Sequence, residues 1–389
     1  MNATSWIGLG ARALLAALAA VSVATGCGGG VGEGGTGSAY SQGTITGFGS
    51  IFVNDIRFDD SAAAVQDDTG AVRSRGDLRL GMTVEVDSGA IDSRTGSASA
   101  TLIRFGSELL GPVAGVDAAR GLVTLLGQTV QVDTTTVFDD RLAGIGAIGA
   151  GRVIEVFGNY DAGTGRYRAT RIGPRDGAST YALRGIVDSL DRARGLVRIG
   201  AADFFYASAL PAGLVDGDYV RLTLRPSAAD ATNWNVDALA AGVRMLADRD
   251  DAELRGFVTG FTSVQAFSVN GQPVNAATAS FPDGYAIGPG VRVRVEGSVR
   301  NGVLQATEVS IRSDSDERQH EFELVGAIAS VDTGARSFVL RGVTVSFASD
   351  PSVENGTLAD LAPNRKVEVR GRLSSVGTGL VATRISFED

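Results

Sequence analysis

Apolar and polar residues alternate along most of this chain. In residues 290–296, Val291, Val293 and Val295 alternate with Arg292, Arg294 and Glu296. A period of two marks a half-buried strand, apolar face inward and charges outward. Phe338-Val339-Leu340 and Val343-Thr344-Val345-Ser346-Phe347 predict two more strands of the same kind. Between Phe267-Ser268-Val269 and Val274 stands Asn270-Gly271, the residue pair that a tight two-residue hairpin turn selects.

The strand signals repeat. A motif of the form Gly-x-Val/Ile-x-x-apolar begins at Gly43, Gly111, Gly185, Gly256 and Gly326, with spacings of 68, 74, 71 and 70 residues. A second motif, close to Gly-x-x-Val-x-Val, follows each after 32 to 40 residues, at Gly81, Gly151, Gly217, Gly290 and, with Asn in place of Gly, Asn364. A third, Ala-Thr-x-apolar, closes most copies, at Ala100, Ala169, Ala306 and Ala382; copy three has Val236-Asp237-Ala238-Leu239 instead. Self-similarity at a fixed period means repeated supersecondary units. Each unit reads as three strands, a looser stretch of ten to twenty residues, then two strands. This predicts an all-β chain of tandem small five-stranded barrels, OB-like, with an SH3-like barrel or an open sandwich as the alternatives. The expected repeats span 43–106, 107–173, 181–241, 252–312 and 322–389, with little helix outside the N-terminal segment.

The three motifs together resemble the bacterial domain-of-unknown-function family 5666. Its Gly-Thr-Ile-x-Gly-Phe-Gly-Ser-Ile opening is matched from Gly43 to Ile51, and its Leu-x-x-Gly-Met-x-Val-Glu-Val stretch from Leu78 to Val86. Copies one, four and five fit best, and copies two and three drift. The resemblance implies an envelope-associated β domain. It supplies no catalytic residues.

The N-terminus departs from the pattern. Residues 13–24 form one apolar run after Arg12. The run is shorter than the about 20 residues a membrane-spanning helix needs and has the length of a signal-peptide core. It ends in Ala24-Thr25-Gly26-Cys27, which resembles the lipobox of bacterial lipoproteins, with Ala24 where Leu is more usual. The resemblance implies cleavage after residue 26 and lipidation of Cys27, the chain's one cysteine. Residues 27–42 are rich in glycine and read as a flexible tether with a reach of roughly 20 Å. Gly28, not Asp, follows the cysteine, which in such lipoproteins implies export to the outer membrane where there is one. The expected address is the cell envelope, with the membrane reached through the N-terminal lipid.

Composition narrows the chemistry. The net charge is −9 and Lys366 is the one lysine. An acidic chain is poorly suited to phosphate backbones, which bind through neutralising Lys and Arg. One cysteine and one histidine, His320, cannot build a four-ligand zinc site, and triad chemistry has only His320 to draw on. No cofactor is expected. The stretches opening at Asp117, Asp161 and Asp191 look like fragments of calcium loops. They lack alternating oxygen ligands and a terminal Glu, and Asp followed by Gly suits a turn between strands. Asp314, Asp316, Glu317, Glu321 and Glu323 flank His320 and read as a solvated connector.

Phe204-Phe205-Tyr206 and Trp234 make copy three the most aromatic. On a strand, Phe204 and Tyr206 share a face. Turned outward, Phe204, Tyr206 and Trp234 form a candidate surface for stacking on a sugar or base; turned inward, they pack the core. No phosphate-binding glycine loop is present. The leading functional expectation is a non-enzymatic envelope protein that binds or scaffolds polar partners, glycans or other envelope proteins, through repeated surfaces. OB-like nucleic-acid binding and a hydrolase using a carboxylate pair are the alternatives.

Overall fold

The structure is a computed structural model that describes residues 38–92, 94–226, 233–312 and 321–388. Cys27, most of the expected tether, and Asp314, Asp316, Glu317 and His320 lie outside the described residues.

Module two shows how a repeat closes. Its first strand, Leu109–Asp117, pairs antiparallel with Leu122–Leu125, and that with Gln128–Gln131. The third strand then runs parallel to the fifth, Arg166–Pro174. The fifth pairs antiparallel with the fourth, Val153–Asp161, which returns to the first. The ring order 1-2-3-5-4, with strands three and five parallel, is the five-stranded Greek-key barrel of the OB type. The other four modules close with the same pairings: module one, module three, module four and module five. This closure decides between the OB-like barrel and the SH3-like or open alternatives. Three short 3-10 turns, Arg75–Asp77, Ile145–Ala147 and Leu358–Asp360, fall between third and fourth strands; no α-helix occurs among the described residues.

Local chemistry sets the strands and turns. Val293 and Val295 of strand Arg292–Arg300 are fully buried, and Arg292 and Arg294 between them are not. Asn270 and Gly271 both have positive φ, 48° and 82°, closing the hairpin. The same turn recurs in modules one, two and five at Asn54-Asp55, Leu126-Gly127 and Arg341-Gly342. The fourth strands of modules two, four and five each carry a glycine at a register slip: Gly158, Gly297 and Gly371. A Cβ on Gly158 or Gly297 would sit 2.0 Å from the carbonyl oxygen of Arg168 or Gln305 on the fifth strand. Close approach of two backbones admits glycine alone.

The barrels are not beads on a string. The first strand of module one, Ala39–Phe48, starts four residues inside the expected tether. Its opening residues pair with module one's own fourth strand and, on the other edge, run parallel to the first strand of module four, Ala39 to Gln42 beside Asp251 to Leu254. Ala39 and Tyr40 are buried there, so these residues belong to the fold. The far end of the same strand lies parallel to the first strand of module five, Gly47 and Phe48 beside Glu323 and Leu324. Modules one, four and five thus share one sheet, and modules two and three share another through Leu109-Leu110 and Ala182-Leu183. The apolar cores merge in the same way. One cluster takes in modules one and five, a second modules two and three, and Tyr40 reaches into the core of module four. Pairing a barrel's edge with its neighbour covers backbone groups that would otherwise invite aggregation.

Candidate functional site at the module junction

Modules one to four meet at a polar cavity of about 190 Å³. Three ion networks build its walls, the first of them buried. In the first, Arg184 on the first strand of module three donates Nη1 to Glu108 (2.9 Å) and Nη2 to Asp68 of module one (3.0 Å). Glu108 also accepts the Tyr219 hydroxyl (2.8 Å), and Arg221 pairs with the same Asp68 oxygen as Arg184. The Tyr167 hydroxyl of module two closes on the Arg184 carbonyl (2.6 Å). In the second, Arg244, in the connector to module four, pairs with Glu85 and Asp87 of module one, and Arg249 adds a second contact to Asp87 (3.2 Å). Arg244 lies over the Tyr40 ring, 5.3 Å from its centre. In the third, Arg255 of module four pairs with Asp55 of module one (2.9 Å) and with Glu253 (2.7 Å), which also holds Arg294.

The electrostatics follow from burial. Removal from water works against the charge of Arg184, but Glu108, Tyr219 and Asp68 outweigh it, and its pKa lies above the ordinary arginine value. Burial pushes the Asp68 carboxyl up; Arg221 and Arg184 pull it back in part, and it stays above its ordinary value. Burial likewise drives the Tyr219 hydroxyl well above its usual range, helped by Glu108; it donates its proton and keeps it. With Arg104, Arg292 and Arg312, seven arginines line the cavity against four carboxylates, Asp55, Asp68, Glu85 and Glu108. A second cavity, about 290 Å³, lies between modules two and four and shares Asn159 and Arg292 with the first. Beside it the guanidiniums of Arg168 and Arg292 both lie on the Phe257 ring, at 5.3 and 5.4 Å, a contact favoured by the ring's negative face.

The aromatic residues singled out from the sequence sit elsewhere. Phe204 is fully buried and Trp234 nearly so, paired across parallel strands inside module three, and the Trp234 ring meets Tyr181 edge-on at 5.8 Å. Tyr206 is half-buried against the same core, and Phe205 is the aromatic that faces out. The stretches at Asp117, Asp161 and Asp191 are turns. Each aspartate caps a backbone N–H two or three residues on, and Gly121, Gly165 and Gly195 take positive φ. Glu321 and Glu323 lie against Arg372 and Arg370.

The junction itself was not singled out by sequence reasoning. Arg184, Asp68 and Glu108 each stand at positions that alternation assigns to solvent. The burial of adjacent Asp87 and Ser88, which a simple half-exposed strand does not allow, shows only in the structure.

Comparison with known proteins gives similarity to one family over part of the chain. The model of the family described as Domain of unknown function (DUF5666) matches residues 111–173, 255–310 and 325–386, which are modules two, four and five. Module one, placed among the best-fitting copies on its motifs, lies outside the matched residues. It carries an additional hairpin, Ala64–Asp67 with Val72–Arg73, between its third and fourth strands. No curated protein matches the chain. Among solved structures, the chain titled "drosophila Unr CSD456" is 13% identical, with 55% of this chain and 98% of that one covered, at a TM-score of 0.13. That score carries no argument about this chain; the OB assignment rests on the strand pairings.

Proposed function

For a chain in which three repeated regions match the model of the DUF5666 family, we propose a non-enzymatic scaffold of the cell envelope, held at a membrane by lipid on Cys27, that binds polar partners such as glycans or other envelope proteins. The observation that supports this most is the fusion of the barrels. Shared sheets join modules one, four and five, and modules two and three. Ion pairs tie module one to modules three and four, and the Arg184–Asp68 pair among them is buried. A body of fixed internal geometry presents repeated surfaces at fixed spacing, and binding at several weak sites then gains avidity.

The alternatives have less behind them. A carboxylate hydrolase needs one carboxyl free to move a proton; Asp68 and Glu108 in the cavity are each held by guanidinium groups. Nucleic-acid binding through the barrels has to overcome a net charge of −9.

The test is crosslinking in living cells, then affinity purification and mass spectrometry, for the native chain and Cys27→Ala. A specific envelope partner recovered with the native chain and lost with the variant is the expected result. A chain that fractionates as soluble in both forms, with no envelope partner in either, overturns the proposal.

A further inference from the structure

The cavity at the junction has an electrostatic imbalance that the fold does not need. Its lining carries three more guanidiniums than carboxylates. Asp87, Glu253 and Glu296 stand behind this wall together with Arg249 and Arg294, and guanidiniums still outnumber carboxylates among the described residues. A locally positive, partly dehydrated site inside an acidic protein attracts anions strongly, because low-dielectric walls weaken screening.

Two of these guanidiniums also have spare donors. Arg184 spends both Nη groups on carboxylates, and its buried Nε has no acceptor among the described residues. Arg104 gives Nη2 to the neutral Gln66 side chain (2.9 Å), and its buried Nε likewise has no acceptor. Gln42, on the cavity wall, has a buried amide oxygen without a donor. Buried polar atoms are nearly always satisfied, by protein, water or an ion. Two donors lacking acceptors, in a wall with surplus positive charge, call for a ligand rich in acceptors. The size fits a small one. At about 190 Å³ the cavity exceeds the about 150 Å³ that admits benzene and falls below the about 300 Å³ of a drug-sized pocket.

We propose that this cavity binds a small oxyanion of the phosphate type. Arginine's planar fork suits such oxygens, and charge-assisted hydrogen bonds are about twice as strong as neutral ones. The adjoining cavity, which shares Arg292 and Asn159, presents the hydroxyl-bearing Thr134, Thr135 and Thr170, with the Thr170 hydroxyl buried and unpartnered. That wall suits the hydroxyl groups of a phosphorylated sugar. The oxyanion site is independent of membrane anchoring, so its failure leaves the envelope reading standing.

The test is calorimetry and thermal unfolding of the whole mature protein with sodium phosphate, against sodium chloride at equal ionic strength. Saturable phosphate binding that raises Tm is expected, with affinity reduced about tenfold or more in Arg104→Gln, as the loss of one charge-assisted hydrogen bond predicts. Should Arg104→Gln fail to fold, Arg292→Gln is read in its place. Glucose 6-phosphate forms the second arm: tighter binding than phosphate assigns the adjoining cavity to the sugar, and equal binding assigns the site to the free anion. No difference between phosphate and chloride, or binding undiminished in the variant, overturns the proposal.

Discussion

Arg184→Met removes a side chain that links Asp68 of module one, Glu108 at the start of module two, and module three. The side chain of Arg184 is 17% exposed, and those of Asp68 and Glu108 are 15% and 8% exposed. Breaking a buried pair by deleting one partner costs about 3–5 kcal/mol, because the remaining charge stays buried without its counter-charge. Here each carboxylate keeps a second partner, Arg221 for Asp68 and Tyr219 for Glu108. The lower end, about 3 kcal/mol, is therefore expected. Urea denaturation reads it as a lower midpoint with an unchanged slope. The control is Arg198→Met. Arg198 pairs with Asp203 at 3.1 Å, but both are substantially exposed, 49% and 35%, so the expected cost is about 0–1 kcal/mol. Adding Glu108→Gln to Arg184→Met removes one of the stranded charges and recovers part of the loss. A cost for Arg184→Met no larger than that of the control would refute the reasoning: the junction would then be open to water and the network a surface one.

Gly297→Ala places a methyl group against the Gln305 carbonyl across the strand pair; a loss of about 1–3 kcal/mol in thermal unfolding is expected, while Gly149→Ala, with open space around it, stays within about 0.5 kcal/mol. Asp67 supplies a pH signature. Burial pushes its carboxyl up, but donors from Thr69, Arg73 and Ala71 outweigh that and hold it below its ordinary value. A carboxyl whose folded pKa is depressed adds stability above its unfolded value, near 3.9, and loses it as pH falls through the folded value. Asp67→Asn therefore lowers stability at neutral pH and flattens the loss of stability below about pH 4, measured as urea midpoints against pH.

Repeat number, the three-then-two strand order and the Asn270-Gly271 hairpin were legible because each is written within a few neighbouring residues. Leu126-Gly127 and Arg341-Gly342 make the same turn without the Asn that advertises it; only their place between paired strands forces positive φ on Leu126 and Arg341. The union of modules was not legible. Residues 39 to 42 look like the end of a flexible tether, and what orders them is pairing with module one's own fourth strand on one edge and, on the other, with Asp251 to Leu254, more than two hundred residues away. The candidate site was hidden for the same reason. A charge such as Arg184, between Leu183 and Gly185 on a half-buried strand, reads as solvent-facing until a second barrel covers that face. Phe204 and Trp234 carried the opposite ambiguity, since period two assigns a shared face without saying which side is the core.

The central claim is that the barrels form one body. Trp234, the one tryptophan in residues 38–389, lies in the core of module three and reports that module by fluorescence, whereas far-UV circular dichroism reports the strands of all five. Both are followed through a single urea titration of a chain spanning residues 38–389. Coincident curves, with one midpoint and one slope, are predicted, because module three is joined to module two by a sheet and to module one by buried ion pairs. A Trp234 transition separated from the dichroism curve would contradict the account, since module three would then unfold apart from the rest.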